Sequence, residues 1–342
     1  MKKKTILTSL FCLLALSAVL IGCAKKNDQS TSQKTLTMVF YPNESAKNFN
    51  ASRAEIQHQI EKATGKKVKI QTTTDYNVAI EAITSGKAQL AFMGPEGYVQ
   101  ANNRNKAVQP LVALSGASGT LKDASYRSYF MVPKDKAADY QKDGQYSIDN
   151  IKGKKISFVS VSSTSGYMIP VATIKQQFKL KSTDELSQSG HFFKSVLFGN
   201  SHQGSAVNLF KGDADVAVFD DIDTSAYIDV EQGSWSKVGS TFKVKANATA
   251  PFTDVRGLES VSIAVNPVQN GPFVANTKAL SAADQKKITA AFTSKEMTAN
   301  TKILSPVNAK VPAIWKKEST KTKLLKVTDD WYKPTHQLVQ DN

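Results

Sequence analysis

Short apolar runs alternate with helical patterns along most of this 342-residue chain, and this alternation limits the possible folds more than any other feature. Apolar runs of about four to eight residues bounded by turn signals are typical of buried strands, and strands that alternate with helices are typical of α/β proteins. The sequence predicts strands over 36–41, 68–72, 90–93, 108–114, 126–133, 156–161, 192–198 and 214–219. It predicts helices over 51–64, 77–85, 96–103, 167–178, 201–210 and 223–230.

The elements fall into two α/β sets of comparable size, and the chain passes between them near residues 133 and 250. We therefore expect two lobes joined by a hinge, with a cleft between them. The first lobe would comprise residues 35–132 and 251–342, and the second would comprise residues 133–250. Cys12 lies in the amino-terminal apolar stretch and Cys23 closes it, so no disulfide is available and the body must be stabilised by its core.

The amino terminus indicates export. Three lysines follow Met1, an apolar stretch covers 6–21, and Leu-Ile-Gly leads into Cys23. This ending resembles the lipobox of bacterial lipoproteins, which implies a signal peptide over 1–22 and a lipid, palmitate included, on the Cys23 sulfur; the alternative is an uncleaved anchor. Residues 23–34 lack apolar periodicity and predict a flexible tether. We expect a protein anchored by its lipid to the cell membrane, on the extracytoplasmic face.

The chain is basic, with 44 Lys and Arg residues against 29 Asp and Glu residues and a formal charge of +15. Removal of the three lysines in the signal leaves 41 basic residues and a charge of +12. The lysines are scattered, with no basic block interleaved with aromatic residues, and the protein is exported, so the charge does not indicate nucleic-acid binding. An anionic small ligand or the polyanionic surroundings of a cell envelope explains it more simply.

A hydroxyl-rich turn over 163–166, Ser-Thr-Ser-Gly, follows a predicted strand and opens a predicted helix. The first N–H groups of a helix have no intrahelical partners, and the helix dipole adds partial positive charge at that end. Three hydroxyls and a glycine could therefore surround a tetrahedral oxyanion. The alternative interpretation is an ordinary Ser/Thr cap with a turn glycine.

Several stretches together resemble the substrate-binding proteins of phosphonate, phosphite or phosphate ABC transporters, which have the type II periplasmic-binding-protein fold. The strongest match is 151–158 leading into Ser163–Tyr167 and Pro170. The other matching stretches are Phe-Tyr-Pro-Asn-Glu over 40–44, Thr-Asp-Tyr over 74–76, 85–87, 90–95, a strand from Tyr126 to 135, Gly-Asn-Ser-His over 199–202, 211–217 and 328–332. The resemblance covers most of 36–335, apart from a looser region around 232–262.

The resemblance implies a set of ligand-binding residues. They are Ser163, Thr164, Ser165 and the following backbone amides, Gly166 included, on the phosphoryl oxygens, Tyr76 and Tyr126 closing from the first lobe, His202 as a hydrogen-bond donor, and an acidic residue after the strand over 214–219. Spacing leaves the acidic residue open among Asp220, Asp221 and Asp223, and we favour Asp220 as the first beyond the strand. A carboxylate could accept the proton of a monoprotonated phosphonate or phosphite, which sulfate lacks. The alternative for each acidic residue is a carboxylate at a helix start.

One segment departs from the family pattern. Phosphonate binders that hold an aminoalkyl tail have Pro-Gly-Asp-Pro late in the chain, whereas residues 268–272 here are Val-Gln-Asn-Gly-Pro. A buried ammonium without a counter-charge is unfavourable, so Asn270 favours a ligand without an amine, unless Asp254 or Glu259 replaces the missing carboxylate.

Enzyme functions fit the sequence poorly. Gly-Asn-Ser-His-Gln-Gly over 199–204 is one residue off the nucleophile elbow of a hydrolase, no Walker A loop is present, and 116–119 lacks the full dinucleotide fingerprint. Four scattered histidines predict no metal-ligand cluster, and His58, His191 and His336 are expected to be structural or exposed to solvent. We therefore expect neither an enzyme nor a cofactor.

These observations predict an extracytoplasmic solute-binding lipoprotein of an ABC importer. It would capture a phosphonate, phosphite or phosphate oxyanion by closure of its two lobes and deliver it to a permease with its ATPase, and we expect a monomer. Two alternatives remain open. The fold could serve a surface adhesin or sensor lipoprotein, or the ligand could be another oxyanion or a small organic anion.

Overall fold

The computed structural model describes residues 34–306, 309 and 313–341. The predicted signal peptide, Cys23 and all of the predicted tether except Lys34 lie outside these residues. Within the described residues, no helix combines the length and the apolar character needed to cross a membrane.

The secondary structure alternates as the sequence predicts between residues 35 and 220. The α-helices are α1 Asn50–Thr64, α2 Tyr76–Thr84, α3 Pro95–Arg104, α4 Ile169–Phe178, α5 His202–Phe210, α6 Asp221–Thr224, α7 Ala282–Phe292, α8 Lys295–Ala299 and α9 Lys333–Asp341. The strands are β1 Thr35–Phe40, β2 Lys67–Thr72, β3 Leu90–Phe92, β4 Val108–Leu114, β5 Ser125–Pro133, β6 Gln141–Lys142, β7 Gln145–Tyr146, β8 Lys155–Phe158, β9 Ser195–Phe198, β10 Val216–Asp220, β11 Ile228–Gln232, β12 Thr241–Val244, β13 Glu259–Gln269, β14 Pro272–Asn276, β15 Leu304–Ser305, β16 Trp315–Lys316 and β17 Leu324–Lys326.

The first sheet has six strands in the order β17-β4-β14-β3-β1-β2. β1 is parallel to β2 and β3, whereas β14 and β17 run antiparallel to their neighbours. Successive residues of β1 pack on opposite faces, with Leu36, Met38 and Phe40 in one apolar cluster and Val39 in another. Both faces are therefore buried, which explains why the strand ends in the uninterrupted apolar run Met38–Phe40.

The second sheet has seven strands in the order β11-β12-β13-β5-β10-β8-β9. β8 is parallel to β9 and β10, and the remaining pairs are antiparallel. Along β10, Val216 and Val218 pack into one apolar cluster while Ala217 and Phe219 pack into the other. Each sheet thus has its own two-sided core, and the predicted α/β fold with two lobes is confirmed.

The predicted helix over 223–230 is wrong. α6 ends at Thr224, and the next residues form β11, which pairs antiparallel with β12. Ile228 and Val230 alternate with Asp229 and Glu231, so the apolar period is two, as in a strand with one buried face, rather than the period of a helix.

The two sheets divide the chain at other residues than the predicted lobe boundaries. β5 and β13 pair with each other along almost their whole lengths within the second sheet, whereas the predicted boundaries at 132/133 and 250/251 would place most of both strands in the first lobe. The chain leaves the first sheet after β4 and returns to it at β14. Pro133 is thus the last residue of a strand of the second sheet, and the chain reaches that sheet before this residue.

Truncation of a buried aromatic residue tests the core of the second sheet. Phe130 on β5 is fully buried, so we expect Phe130→Ala to lower the free energy of unfolding by about 3–5 kcal/mol. Val238→Ala removes an apolar side chain that is 40% exposed and should change it by less than about 0.5 kcal/mol. Urea unfolding of both variants measures the difference, and equal stabilities would contradict this packing.

Candidate functional site

A small cavity of about 40 Å³ lies where loops that follow strands of both sheets meet. In open α/β sheets, ligands bind beyond the carboxyl ends of the strands, and β1, β3, β8 and β10 all end at this cavity. All of the predicted ligand-binding residues except Gly166 line it, namely Tyr76, Tyr126, Ser163, Thr164, Ser165, His202 and Asp220.

The hydroxyl-rich turn forms one wall of the cavity. Ser163 caps a π-helical turn, Thr164–Met168, that leads directly into α4, and its Oγ accepts a hydrogen bond from Gly166 N at 3.0 Å. The helix therefore begins earlier than the predicted 167. Gly166 positions the turn without lining the cavity, since a Cβ at this residue would lie 2.3 Å from Val159 Cβ.

The same turn contacts the first half of the molecule. Thr164 Oγ1 accepts a hydrogen bond from Glu96 N, at the start of α3, at 2.9 Å. Ser162 Oγ donates to Asn77 Oδ1 of α2 at 3.3 Å. Each of these hydrogen bonds joins a segment next to the second sheet to a helix of the first.

His202 lies at the first position of α5, where the sequence places it. Ser201 caps this helix, because its Oγ accepts from Gly204 N at 3.0 Å. His202 Nε2 lies 3.3 Å from Ser165 Oγ and 3.2 Å from Asp220 Oδ2, while Nδ1 has no hydrogen-bond partner among the described residues. Burial lowers the pKa of His202 to about 3, so the imidazole is neutral at neutral pH.

The three candidate acidic residues occupy different surroundings. Asp220 ends β10 and caps α6, with Oδ1 accepting from Asp223 N at 3.0 Å, while its Oδ2 accepts from Ser165 Oγ at 3.2 Å. Asp223 also lines the cavity. Asp221 instead forms an ion pair with Arg127 at 2.9 Å, outside the cavity. Asp220, the acidic residue that we favour, thus has two roles. It caps a helix, as the alternative interpretation of these carboxylates has it, and it also lines the cavity.

The two tyrosines approach from different halves of the molecule. Tyr126 lies on β5, and its hydroxyl donates to Ser165 Oγ at 3.0 Å. Tyr76 begins α2, and its hydroxyl accepts from Asn43 Nδ2 at 2.8 Å. The expectation that both come from the first lobe is therefore wrong for Tyr126, because β5 belongs to the second sheet.

Sequence reasoning did not select two cavity residues in the loop after β1. Asn43 Oδ1 accepts from His202 N at 3.2 Å, and Glu44 is 6% exposed with no partner for Oε2 among the described residues. The signal was available, because Tyr-Pro-Asn-Glu over 41–44 interrupts the chain at the carboxyl end of a predicted strand. Which of its side chains face inward depends on the loop conformation.

The cavity contains acidic groups without a basic side chain in its described lining. Burial, with a further contribution from Asp220, raises the pKa of Glu44 to about 8. Burial also raises the pKa values of Asp220 and Asp223 well above their ordinary range. Glu44 is therefore protonated at neutral pH and can donate a hydrogen bond, and burial favours the protonated forms of Asp220 and Asp223. Because the imidazole is neutral, the contact between His202 and Asp220 is a hydrogen bond rather than an ion pair.

The sequence predicts no metal-ligand cluster, and the structure brings one candidate group together. One ring nitrogen of His202 and one carboxyl oxygen each of Asp220 and Asp223 lie within 4.8 Å of one another. Burial disfavours the ionised carboxylates that a cation requires, so the absence of a metal stays a prediction. Among the other histidines, His58 and His191 are exposed, and His336 Nε2 contacts Asp329 Oδ1 at 2.8 Å, away from the cavity.

The segment that departs from the family pattern borders the cavity. Gly271 is a lining residue, and a Cβ there would lie 2.3 Å from the backbone oxygen of Met93, so only glycine allows this approach. Neither suggested replacement for the missing carboxylate lies in the cavity lining. Asp254 is exposed, and Glu259 forms an ion pair with Lys134 at 2.7 Å.

Solved structures show the class of fold. A binding protein component of an ABC phosphonate transporter from Pseudomonas aeruginosa superimposes with a TM-score of 0.64 at 20% identity, over 91% of this chain and 89% of that chain. PhnD1 from Prochlorococcus marinus, in complex with methylphosphonate, gives 0.60 at 15% identity, over 90% and 97%. The fold is thus that of the binding proteins of ABC importers.

Sequence comparison defines the family. Residues 38–324 match the family model of the phosphonate ABC transporter periplasmic substrate-binding protein. The phosphate-import protein PhnD of Mycolicibacterium smegmatis is 30% identical over 233 residues, which are 66% of this chain and 68% of that protein. This chain therefore belongs to the family of periplasmic substrate-binding proteins of phosphonate ABC transporters, which is a family of transport proteins rather than of enzymes, and it is the extracytoplasmic solute-binding component of an importer.

The raised pKa of Glu44 makes the stability of the ligand-free protein depend on pH. The folded state binds a proton at Glu44 up to about pH 8, whereas the unfolded chain releases it near 4.5, so the stabilisation present below 4.5 is lost as the pH rises through 8. We expect Glu44→Gln to raise the free energy of unfolding by about 1–3 kcal/mol at pH 8 relative to the parent and to leave it nearly unchanged at pH 4.5.

Urea unfolding of the ligand-free protein across this pH range measures the effect. Glu185→Gln changes an exposed carboxyl and serves as the matched control. A difference between Glu44→Gln and the parent that is the same at all pH values would contradict a buried, protonated Glu44.

Proposed function

We propose that this protein captures a single tetrahedral phosphorus oxyanion in the cavity and delivers it to its permease. The observation that supports this proposal is the convergence of buried hydroxyls, a neutral imidazole and buried carboxyls on one small space. Ser163 Oγ lies 3.5 Å and Ser165 Oγ 3.3 Å from His202 Nε2, and each of the three residues is at most 2% exposed. Groups this deeply buried need polar partners, and the ligand supplies several acceptor oxygens at once, three in a phosphonate or phosphite and four in phosphate.

The carboxyl oxygens of the cavity favour phosphorus over sulfur. Phosphate, phosphite and alkylphosphonates carry a proton at or near neutral pH and can donate it to an acceptor oxygen of Asp220 or Glu44, which a carboxyl retains in either protonation state. Sulfate is fully ionised and has no proton to donate to these oxygens. The proposal agrees with the phosphate named for the Mycolicibacterium relative and with the methylphosphonate in the PhnD1 complex.

We further propose that closure of two lobes completes the site. We define each lobe by the sheet to which its strands belong. On this definition the first lobe comprises residues 35–124 and 270–341, the second comprises residues 125–269, and these bounds replace the predicted ones. Asn43 and Tyr76 then belong to the first lobe, and Ser163, His202 and Asp220 to the second. A ligand held by both sets of residues binds the closed form more tightly than the open form and shifts the population towards it.

The proposed anchoring is a lipid on Cys23, with residues 23–34 as the tether, and the proposed assembly is a monomer that meets a permease and its ATPase.

The hydrolase alternative loses its nucleophile, because the Ser201 hydroxyl caps α5 and His202 Nε2 faces Ser165 and Asp220. An adhesin or sensor would not need buried hydroxyls that converge on a cavity.

Thermal shift with oxyanions tests the ligand class. At 100 times its dissociation constant, a ligand should stabilise the protein by about 2.7 kcal/mol. We expect phosphate, phosphite or methylphosphonate to raise the melting temperature and sulfate to have no effect. Replacement of Ser163, Thr164 and Ser165 together by Ala should abolish the shift, whereas His58→Ala, at an exposed histidine, should preserve it. Far-UV circular dichroism checks that the triple variant is folded, and a shift that survives in it would refute the proposed site.

Fractionation tests the lipid anchor. We expect the full chain to sediment with membranes and Cys23→Ala to be released into the soluble fraction, since the apolar acyl chains supply the membrane affinity. The parent protein should also incorporate radiolabelled palmitate. Membrane association of the Cys23→Ala variant with uncleaved residues 1–22 would support the alternative of an uncleaved anchor.

A further inference from the structure

A second, larger cavity adjoins the proposed oxyanion site. It has a volume of about 490 Å³ and shares Tyr126 and Ile222 with the small cavity. Its other walls include Trp235 from the second half of the molecule and Trp315 and Lys316 from the first. We call it the tryptophan chamber.

The two volumes suit different parts of one ligand. The 40 Å³ cavity has room for a tetrahedral group and little else, so a carbon substituent on phosphorus must extend elsewhere. Pockets for organic ligands typically have volumes of about 300–1,000 Å³ with mostly apolar walls, and the tryptophan chamber falls within this range. Because Tyr126 and Ile222 line both cavities, the tryptophan chamber is the space directly beside the small cavity.

The apolar walls of the chamber are held in place by the core. The backbone oxygen of Trp235 accepts a hydrogen bond from Tyr129 at 2.7 Å, and its ring packs 5.3 Å from Phe242. Trp315 is 3% exposed and packs edge-on to Phe92 at 5.2 Å. Rigid aromatic walls can bind a short carbon chain without a large loss of side-chain entropy.

Basic side chains in the chamber wall differ in whether an acidic side chain contacts them. Arg127 is paired twice, with Asp221 at 2.9 Å and Glu318 at 3.0 Å. Lys316 Nζ has no hydrogen bond or ion pair among the described residues and lies 5.7 Å from the centre of the Trp235 ring. Burial lowers the pKa of Lys316, which an added anion nearby would reverse. Lys317 also lines the chamber, but its Nζ donates a hydrogen bond to the backbone oxygen of Thr298. Among the described lysines of the lining, Lys316 therefore presents the ammonium group without a hydrogen-bond or ion-pair partner.

We propose that the tryptophan chamber binds a carbon substituent that ends in a carboxylate, so that the preferred ligands are phosphonocarboxylates with the carboxylate on the Lys316 ammonium. The proposal rests on the proposed function, because the phosphoryl group must occupy the small cavity. It assigns Lys316 as the specificity-determining residue. An aminoalkyl tail would instead bring a second ammonium next to Lys316, which is unfavourable.

The alternative is that Lys316 only holds the two halves together. It follows Trp315 on the first half and lies over Trp235 of the second, so a cation–π contact alone would favour closure. Such a contact would strengthen the binding of every ligand equally, because it acts on the closed form and not on the tail. Ligands with and without a carboxylate therefore separate the two roles.

Calorimetry with matched ligands tests the proposal. Phosphonopropionate and propylphosphonate have the same number of carbons and differ in the terminal carboxylate. We expect the parent to bind phosphonopropionate at least about tenfold more tightly, as a charge-assisted hydrogen bond allows. Lys316→Met should remove this difference and leave the affinities for phosphate and propylphosphonate unchanged, while Lys326→Met, at an exposed lysine, should keep it.

A second variant tests the chamber without changing its charge. Ser234 is exposed and lies in the chamber wall, so Ser234→Phe should reduce the space and weaken phosphonopropionate while preserving phosphate binding. Retention of both affinities in this variant would contradict a tail in the chamber.

The contrary outcomes are distinct. Equal affinities of the parent for the two matched ligands, or tighter binding of aminoethylphosphonate than of phosphonopropionate, would overturn this inference and leave the proposed function intact. An equal loss for all ligands in Lys316→Met would assign Lys316 to closure and would likewise overturn it. A parent protein that binds neither phosphate nor any phosphonate would refute the proposed function and this inference together.

Discussion

The rest of the site depends on the hydrogen-bonded contact among Ser165, His202 and Asp220. The three side chains are at most 3% exposed, and the described lining around them contains no lysine or arginine. Burial of ionised groups without counter-charges is strongly unfavourable, so burial raises the pKa of Asp220 and lowers the pKa of His202, and the uncharged form of each is favoured. The result is an uncharged cluster of hydrogen-bond donors and acceptors. The positive net charge of the whole chain is therefore not concentrated at the site.

Each member of the cluster is a residue that caps a helix or lies within two residues of one. Ser163 caps the turn before α4, Ser201 caps α5 and Asp220 caps α6, and each follows the carboxyl end of a strand. The capping hydrogen bonds fix the direction of each neighbouring side chain before any ligand is present. Because these strands belong to one sheet and Asn43 and Tyr76 come from the other half, the cavity exists only where the two halves meet.

Much of this arrangement could be predicted from the sequence, because local signals specify it. The alternation of apolar runs predicts most strands between residues 35 and 220, the Ser-Thr-Ser-Gly turn follows from capping chemistry, and His202 follows from the resemblance to the family. The inward direction of Glu44, the different surroundings of Asp220 and Asp221, and the placement of Tyr126 on the second sheet depend on tertiary packing. β11 was mistaken for a helix because its apolar residues are few and only one face is buried, and the pairing of β5 with β13 joins residues more than 120 positions apart, for which no local signal exists.

A crystal structure with methylphosphonate would show directly whether the hydroxyl cluster binds the phosphonate group. We expect the phosphorus atom in the small cavity, with its oxygens within hydrogen-bonding distance of Ser163 Oγ, Ser165 Oγ and His202 and with Asp220 close to one oxygen. A phosphonate group bound to surface lysines, with the hydroxyl cluster buried and unchanged from the ligand-free protein, would contradict it.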